Sequence, residues 1–319
     1  MSQPIRISYA VMVAVLVLTG WFHLGTLVLT ALFGSFALRL FSFGRSRYLG
    51  LAIYVVAVVG IIWGMIYFSR LAYKALPKIA ETTIPAVASY AQKQGFELPF
   101  SDYDSLKSLA VDEVKQDMAG AGRHAREAAF KVVQFLIGLV VAASLYMSGK
   151  WGEEHDPHAA PDGLYASVAR EVRQRFQTLF SSFSKVIGAQ IIISTINTTL
   201  TAAFLLWNGY PYLLVITTLT FLCGLVPIVG NILSNVLIVF VGFTLSPRTA
   251  LMALVFLVVV HKLEYFLNSK IIGDRIKNPM WLTLIGLVVG EKLLGVPGMI
   301  LAPVVLHYLK VETSQNKVN

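Results

Sequence analysis

Charge is what this chain most lacks. Of its 319 residues only 13% are Asp, Glu, Lys or Arg, about half of the ~25% found in ordinary soluble domains. Hydrophobic residues make up 56%, and the mean hydropathy is +0.69. So little charge cannot supply a polar shell for a 35.0 kDa globule, so lipid and not water is the expected solvent. Cysteine is nearly absent as well. The single Cys223 excludes an intrachain disulfide, and it lies in an uncharged run, away from the positive charge that activates thiols. It reads as a small apolar side chain. No Walker A loop, HExxH, GxSxG or dinucleotide fingerprint occurs, which leaves an ATP-driven pump or a familiar intramembrane protease without support.

What is present is a set of long uncharged stretches. None of the four charged residue types falls between Arg6 and Arg39, Arg47 and Arg70, or Lys131 and Lys150. The longest gap, residues 186–247, is 62 residues. As helix it would measure about 93 Å, roughly three crossings of a ~30 Å hydrocarbon core. The uncharged N-terminal run is too long for the core of a cleaved signal peptide and reads as two retained spans broken near residues 23–26. The expected fold is all-α and polytopic, with about eight spans near 9–24, 26–41, 48–70, 129–149, 186–207, 212–227, 230–246 and 248–268. A last apolar region, 280–309, is interrupted by Glu291, Lys292 and a Gly-Val-Pro-Gly stretch, as two short helices of a re-entrant hairpin would be.

Polar segments divide the chain into residues 1–76 (three helices), 77–128 (a helical segment), 129–150 (span four), 151–185 (a linker with amphipathic character), 186–312 (a core with broken helices) and a 313–319 tail. Residues 77–131 carry seven basic and eight acidic side chains, so the net charge of +9 lies wholly outside them. The excess cations cluster at Arg39, Arg45 and Arg47, at Lys150 to Lys185, and at Lys270, Arg275 and Lys277. Cytoplasmic loops are enriched in Lys and Arg. Putting these clusters inside places both termini in the cytoplasm and residues 77–128 on the far face as an extracytoplasmic domain. There Asp104 is a candidate cap for an apolar stripe at Leu106, Leu109, Val111, Val114 and Met118. The same scatter of cations at span ends explains the basic balance by membrane topology, with no nucleic-acid partner.

Four features could carry chemistry. The break around Gly224, Pro227, Gly230 and Asn231 is either a turn between spans or a discontinuous helix beside a transport path, since interrupted backbone is tolerated in a bilayer only where protein or water surrounds it. Gly295, Pro297 and Gly298 form a second break of the same kind. Glu264 and Glu291 are carboxylates close to apolar helices, where a charge costs about 2.5–3.5 kcal/mol at mid-bilayer. Glu264 could simply reach the head groups, whereas Glu291, flanked by apolar residues, has the stronger case for a cavity-facing role. Ser194, Thr195, Asn197, Thr198, Thr199 and Thr201 form a polar run that either packs helices together or walls a polar path. Gly60-x-x-x-Gly64 and Gly286-x-x-x-Gly290 could bring helices close, and Glu153, Glu154, His155, Asp156 and His158 read as a solvated linker, not a metal site. No cofactor or metal is expected.

Residues 264–279 (EYFLNSKIIGDRIKNP), 284–290 (LIGLVVG), 294–303 (LGVPGMILAP) and the Pro-x-x-Gly break in 226–230 (VPIVG) resemble segments of the autoinducer-2 exporter (AI-2E, formerly UPF0118) family of transporters. The likeness is specific from about 185 to 310 and rests on layout before that. Pro297 departs from the family pattern, where many members carry another small or apolar residue. The resemblance implies a multi-pass inner-membrane protein and a homo-oligomer, a pentamer among the forms it allows. Members are linked to export of a small signalling molecule and, in other cases, to sodium/proton antiport. The expected function is thus gradient-driven movement of a small solute or ion. Pro227, Gly230, Asn231, Glu264, Asn268, Glu291, Gly295 and Gly298 are the pathway candidates, and Asn197 and Thr198 are packing or wall residues. The alternatives are a cation/proton antiporter or a non-transporting scaffold that recruits a partner through residues 77–128.

Overall fold

The computed structural model describes residues 2–41, 46–96, 104, 121–148, 163–226, 229–272 and 279–315. Among them are ten helices and no strand. In chain order these are α1 (Gln3–Trp21), α2 (Gly25–Phe41), α3 (Arg47–Lys93), α4 (Ala121–Met147) and α5 (Gly163–Trp207). They are followed by α6 (Leu213–Gly224), α7 (Val229–Leu245), α8 (Pro247–Ile272), α9 (Met280–Leu294) and α10 (Val296–Gln315). Four segments are long and apolar enough to cross a bilayer, namely Gln3–Trp21, Arg47–Lys93, Ala125–Met147 and Gly163–Trp207, and α2, α6 and α7 are shorter apolar helices. The all-helical fold expected from composition is the one observed among the described residues, and it is consistent with a helical membrane protein. The stripe at 106–118, the acidic cluster at 153–158 and Pro227 lie outside the described residues.

Helix ends do not follow the changes of polarity. The third span was expected to end near residue 70, yet α3 continues to Lys93 through Pro77 and Pro85. Likewise α5 begins at Gly163, in the segment expected to be linker. Backbone groups are satisfied within a helix whether lipid or water surrounds it, so leaving the apolar window gives no reason to stop. At 47 and 45 residues, α3 and α5 are about 70 Å and 68 Å long. By contrast α6 has 12 residues, about 18 Å, which falls short of a ~30 Å hydrocarbon core.

The chain divides into two compact units. The first comprises residues 1–59, 128–188 and 274–319 and contains two helical hairpins. The α1–α2 turn places His23 at φ 51°, and its Nδ1 lies 3.0 Å from the Leu293 carbonyl at the end of α9. Gln134 of α4 donates to the His23 carbonyl at 3.1 Å. The α9–α10 link is the single residue Gly295, at φ +67°, a region that favours glycine. Along the α9–α10 seam a side chain at Gly290 would strike the Gly298 carbonyl, and one at Gly298 would strike the Gly290 carbonyl. The expected pair of short helices in 280–309 is therefore present, and it is closed backbone to backbone.

At the opposite ends of these hairpins lies a buried ionic cluster. Arg175, 5% exposed, donates from its guanidinium Nη1 to Glu312 Oε1 at 2.7 Å and from Nε to Ser8 Oγ at 2.9 Å. It also stacks 3.9 Å over the Tyr9 ring, and the Tyr9 hydroxyl donates to Glu312 Oε1 at 3.1 Å. Helices α1, α5 and α10 are thus joined through one cation.

The second unit comprises residues 60–127 and 189–273. Its core is built from Ala72, Ala75 and Ile79 of α3, Leu205 of α5, Val215 and Ile216 of α6, Ile238 and Val241 of α7, and Ala253 and Leu257 of α8. Phe204 stacks on Phe256 with ring centroids 4.3 Å apart. This core holds α5, α6, α7 and α8 together, and those four helices frame the candidate site.

Candidate functional site

The site starts with the ending of α6. A helix leaves its last four carbonyls without intrahelical partners, and in lipid each unmade hydrogen bond is costly. Here all four are accounted for. Leu225 N–H donates to Leu222 O at 3.2 Å and Val226 N–H to Cys223 O at 2.9 Å. The other two partners come from α5, where Ser194 Oγ–H donates to Phe221 O at 2.9 Å and Gln190 Nε2 to Gly224 O at 2.5 Å. The next helix starts against the same turn, because any side chain at Gly230 would strike the Cys223 carbonyl. Gly230 is required there by close approach.

One residue later Asn231, 9% exposed in the first turn of α7, donates from Nδ2 to Glu264 Oε1 of α8 at 2.7 Å. The Glu264 side chain is 12% exposed, and His261 Nδ1, on a side chain 64% exposed, lies 3.7 Å from its other oxygen. A small open cleft of about 10 Å³ adjoins the carboxylate, with apolar walls from Ile193, Ile196, Val260 and Leu263 and with Asn197 and Glu264 as its polar lining. Thr201 Oγ1 lies 3.5 Å from Asn197 Oδ1. A carboxylate beside an amide side chain in an apolar cleft favours a proton or a hard cation over an anion.

Three residues named separately from the sequence, Asn197, Asn231 and Glu264, therefore meet in one place. Thr198 lies on the same helix, with a buried hydroxyl that has no partner among the described residues. Asn268 belongs to the end of α8, and its side chain lies outside the described residues. Glu291, Gly295 and Gly298 belong to the first unit. Glu291 is exposed on α9, so the burial expected from its apolar flanks is not found within the chain. Gly286 and Gly290 do bring helices together, whereas nothing lies within 4 Å of Gly60 or Gly64.

Sequence reasoning gave Gln190 no role and placed Ser194 in a polar run that either packs helices or walls a polar path. A usable signal was there, since 190, 194, 197 and 201 recur at helical spacing and form one polar stripe on α5. The Arg175–Glu312 pair was also missed, because 137 residues separate its members.

The model of the AI-2E family transporter family matches residues 7–315. The chain belongs to the AI-2E family. Two Bacillus subtilis (strain 168) proteins are similar to parts of it. "Putative transport protein YdbI" is 27% identical over 139 residues, covering 43% of this chain and 40% of that protein. "Putative transport protein YueF" is 33% identical over 156 residues, covering 48% of this chain and 42% of that protein. The matches thus span less than half the length of either relative. No solved structure matches. As a member of a transporter family with several long apolar helices, this AI-2E protein is a multi-pass membrane protein.

Proposed function

We propose that this AI-2E protein is a secondary transporter of the inner membrane, exporting or exchanging a small solute or ion, and that the cleft at Asn197, Asn231 and Glu264 couples transport to a cation or proton. The observation that carries the reading is the Asn231–Glu264 contact. It ties the helix after the break to a carboxylate that faces a cleft. At an effective dielectric of about 20, a monovalent cation about 4 Å from a carboxylate gains about 4 kcal/mol, close to a thousandfold in affinity. Glu264→Gln keeps the shape and an oxygen for Asn231 but removes that charge.

The test is solute and ion flux in proteoliposomes with imposed proton or sodium gradients. Wild-type protein responds to one of the gradients, and Glu264→Gln loses that response by orders of magnitude. Equal flux from both proteins under every gradient rejects the coupling role. A cation/proton antiport reading has its own support in His261, an exposed titratable group beside the carboxylate. In that case Glu264→Gln abolishes pH-dependent sodium flux, and Glu291→Gln tests the second carboxylate in the same assay. The cation clusters support eight spans with both termini in the cytoplasm and residues 77–128 on the far face, and the family resemblance supports a homo-oligomer as the working assembly.

A further inference from the structure

The carbonyls that end α6 could have been closed by local backbone turns, and two of them are. The remaining two, at Phe221 and Gly224, are held by side chains of a different helix. Both side chains belong to the α5 stripe that also carries Asn197 into the cleft. Between the two held carbonyls is Cys223, half-buried, with its own carbonyl against Gly230. Gly230 directly precedes Asn231, the residue bonded to Glu264. One face of α5 therefore grips the end of α6, and the start of α7 follows that grip to the carboxylate.

We propose that Gln190 and Ser194 form a latch that keeps the end of α6 shut, and that releasing their two hydrogen bonds admits water to the Phe221 and Gly224 carbonyls there. It rests on the reading of this cleft as a transport site. The latch is well placed to be reversible. Its acceptors are main-chain oxygens, and an aqueous path would supply water as the substitute donor, so opening exchanges hydrogen bonds instead of losing them. Gln190 and Ser194 are positioning residues here, acting on the backbone at the end of α6 and not on cargo.

The protein carries its own probe. Cys223 is the only cysteine, and maleimides react with the thiolate, which needs water to form. The rate of N-ethylmaleimide labelling of the full chain in proteoliposomes thus reads hydration of the end of α6. Each lost contact should raise that rate about fivefold and both together about thirtyfold, the latter equal to about 2 kcal/mol at 1.4 kcal/mol per tenfold. Ser194→Ala and Gln190→Leu test the contacts singly, and Ser194→Thr, which keeps the hydroxyl, should stay within about twofold of wild type. If the double variant does not accumulate, the single variants carry the same test. Wild-type labelling rates in Ser194→Ala and Gln190→Leu overturn the latch, and so does Ser194→Thr labelling as fast as Ser194→Ala. Faster labelling with unaltered flux keeps the latch and rejects the transport role of the cleft.

Discussion

Cutting one partner from the Arg175–Glu312 pair should destabilise the first unit far more than cutting both. The two side chains are 6% and 10% exposed and meet at 2.7 Å. Removing one member of a buried pair costs about 3–5 kcal/mol, because the other charge stays behind without compensation. Part of that cost is recovered locally. In Glu312→Leu the guanidinium keeps the Tyr9 ring and the Glu171 carboxylate 3.5 Å away, contacts worth about 1 kcal/mol together. The expected loss is therefore about 2–4 kcal/mol for Glu312→Leu. Arg175→Met should lose a similar amount.

Replacing a buried ion pair by apolar groups of similar volume is often neutral. Arg175→Met with Glu312→Leu should accordingly recover most of either single loss, giving a coupling energy of about 4–7 kcal/mol in a double-mutant cycle. The assay is thermal unfolding of the purified protein in one detergent, where a loss of about 3 kcal/mol lowers the midpoint by roughly 6 °C or more. Two results would refute the reasoning. One is a pair of single variants that melt with wild type. The other is a double variant that loses the sum of the single losses, which would show that the two charges do not interact.

Glycine tests divide by what lies opposite. Gly298→Ala and Gly230→Ala push a methyl group into a backbone carbonyl and should each cost about 1–3 kcal/mol or more, seen as a lower melting midpoint, whereas Gly60→Ala meets nothing within 4 Å and should be neutral or gain up to about 1 kcal/mol. Equal midpoints for Gly60→Ala and Gly298→Ala would reject the close seam. Tyr210→Phe removes a buried hydroxyl that has no partner among the described residues; stability should hold or rise by about 1 kcal/mol, and a clear drop would reveal a bond not seen here.

Helix content was legible in the sequence because lipid leaves few alternatives to helix, and the gaps between charges mark the apolar windows. The windows do not mark helix ends. Residue 70 is where α3 becomes polar and Lys93 is where it stops, and only the first of these is written in hydropathy. At the site, composition singled out Asn197, Asn231 and Glu264 one at a time, but their meeting depends on the packing of α5, α7 and α8. Glu291 shows the converse. Its flanks are as apolar as those of a buried residue, yet the face it occupies on α9 is exposed, and flanking composition does not determine a face. Gly295 and Gly298 carried a true signal of interruption, and what the interruption contains is a seam of main chain.

The length of α3 has a mechanical consequence. Its uncharged window closes at Arg70, yet about 24 residues, a rod of roughly 35 Å, continue beyond it, and Ala72, Ala75 and Ile79 of that rod are buried in the core of the second unit. Pro77 and Pro85 both fall in that rod, and each removes a rung of hydrogen bonding and softens the helix at its level. The rod is nonetheless clamped along its length, by Ile79 in that core and by the Tyr90 ring 5.3 Å from that of Phe243 of α7. A pull on its upper end is therefore passed to α7 through Tyr90 and Phe243.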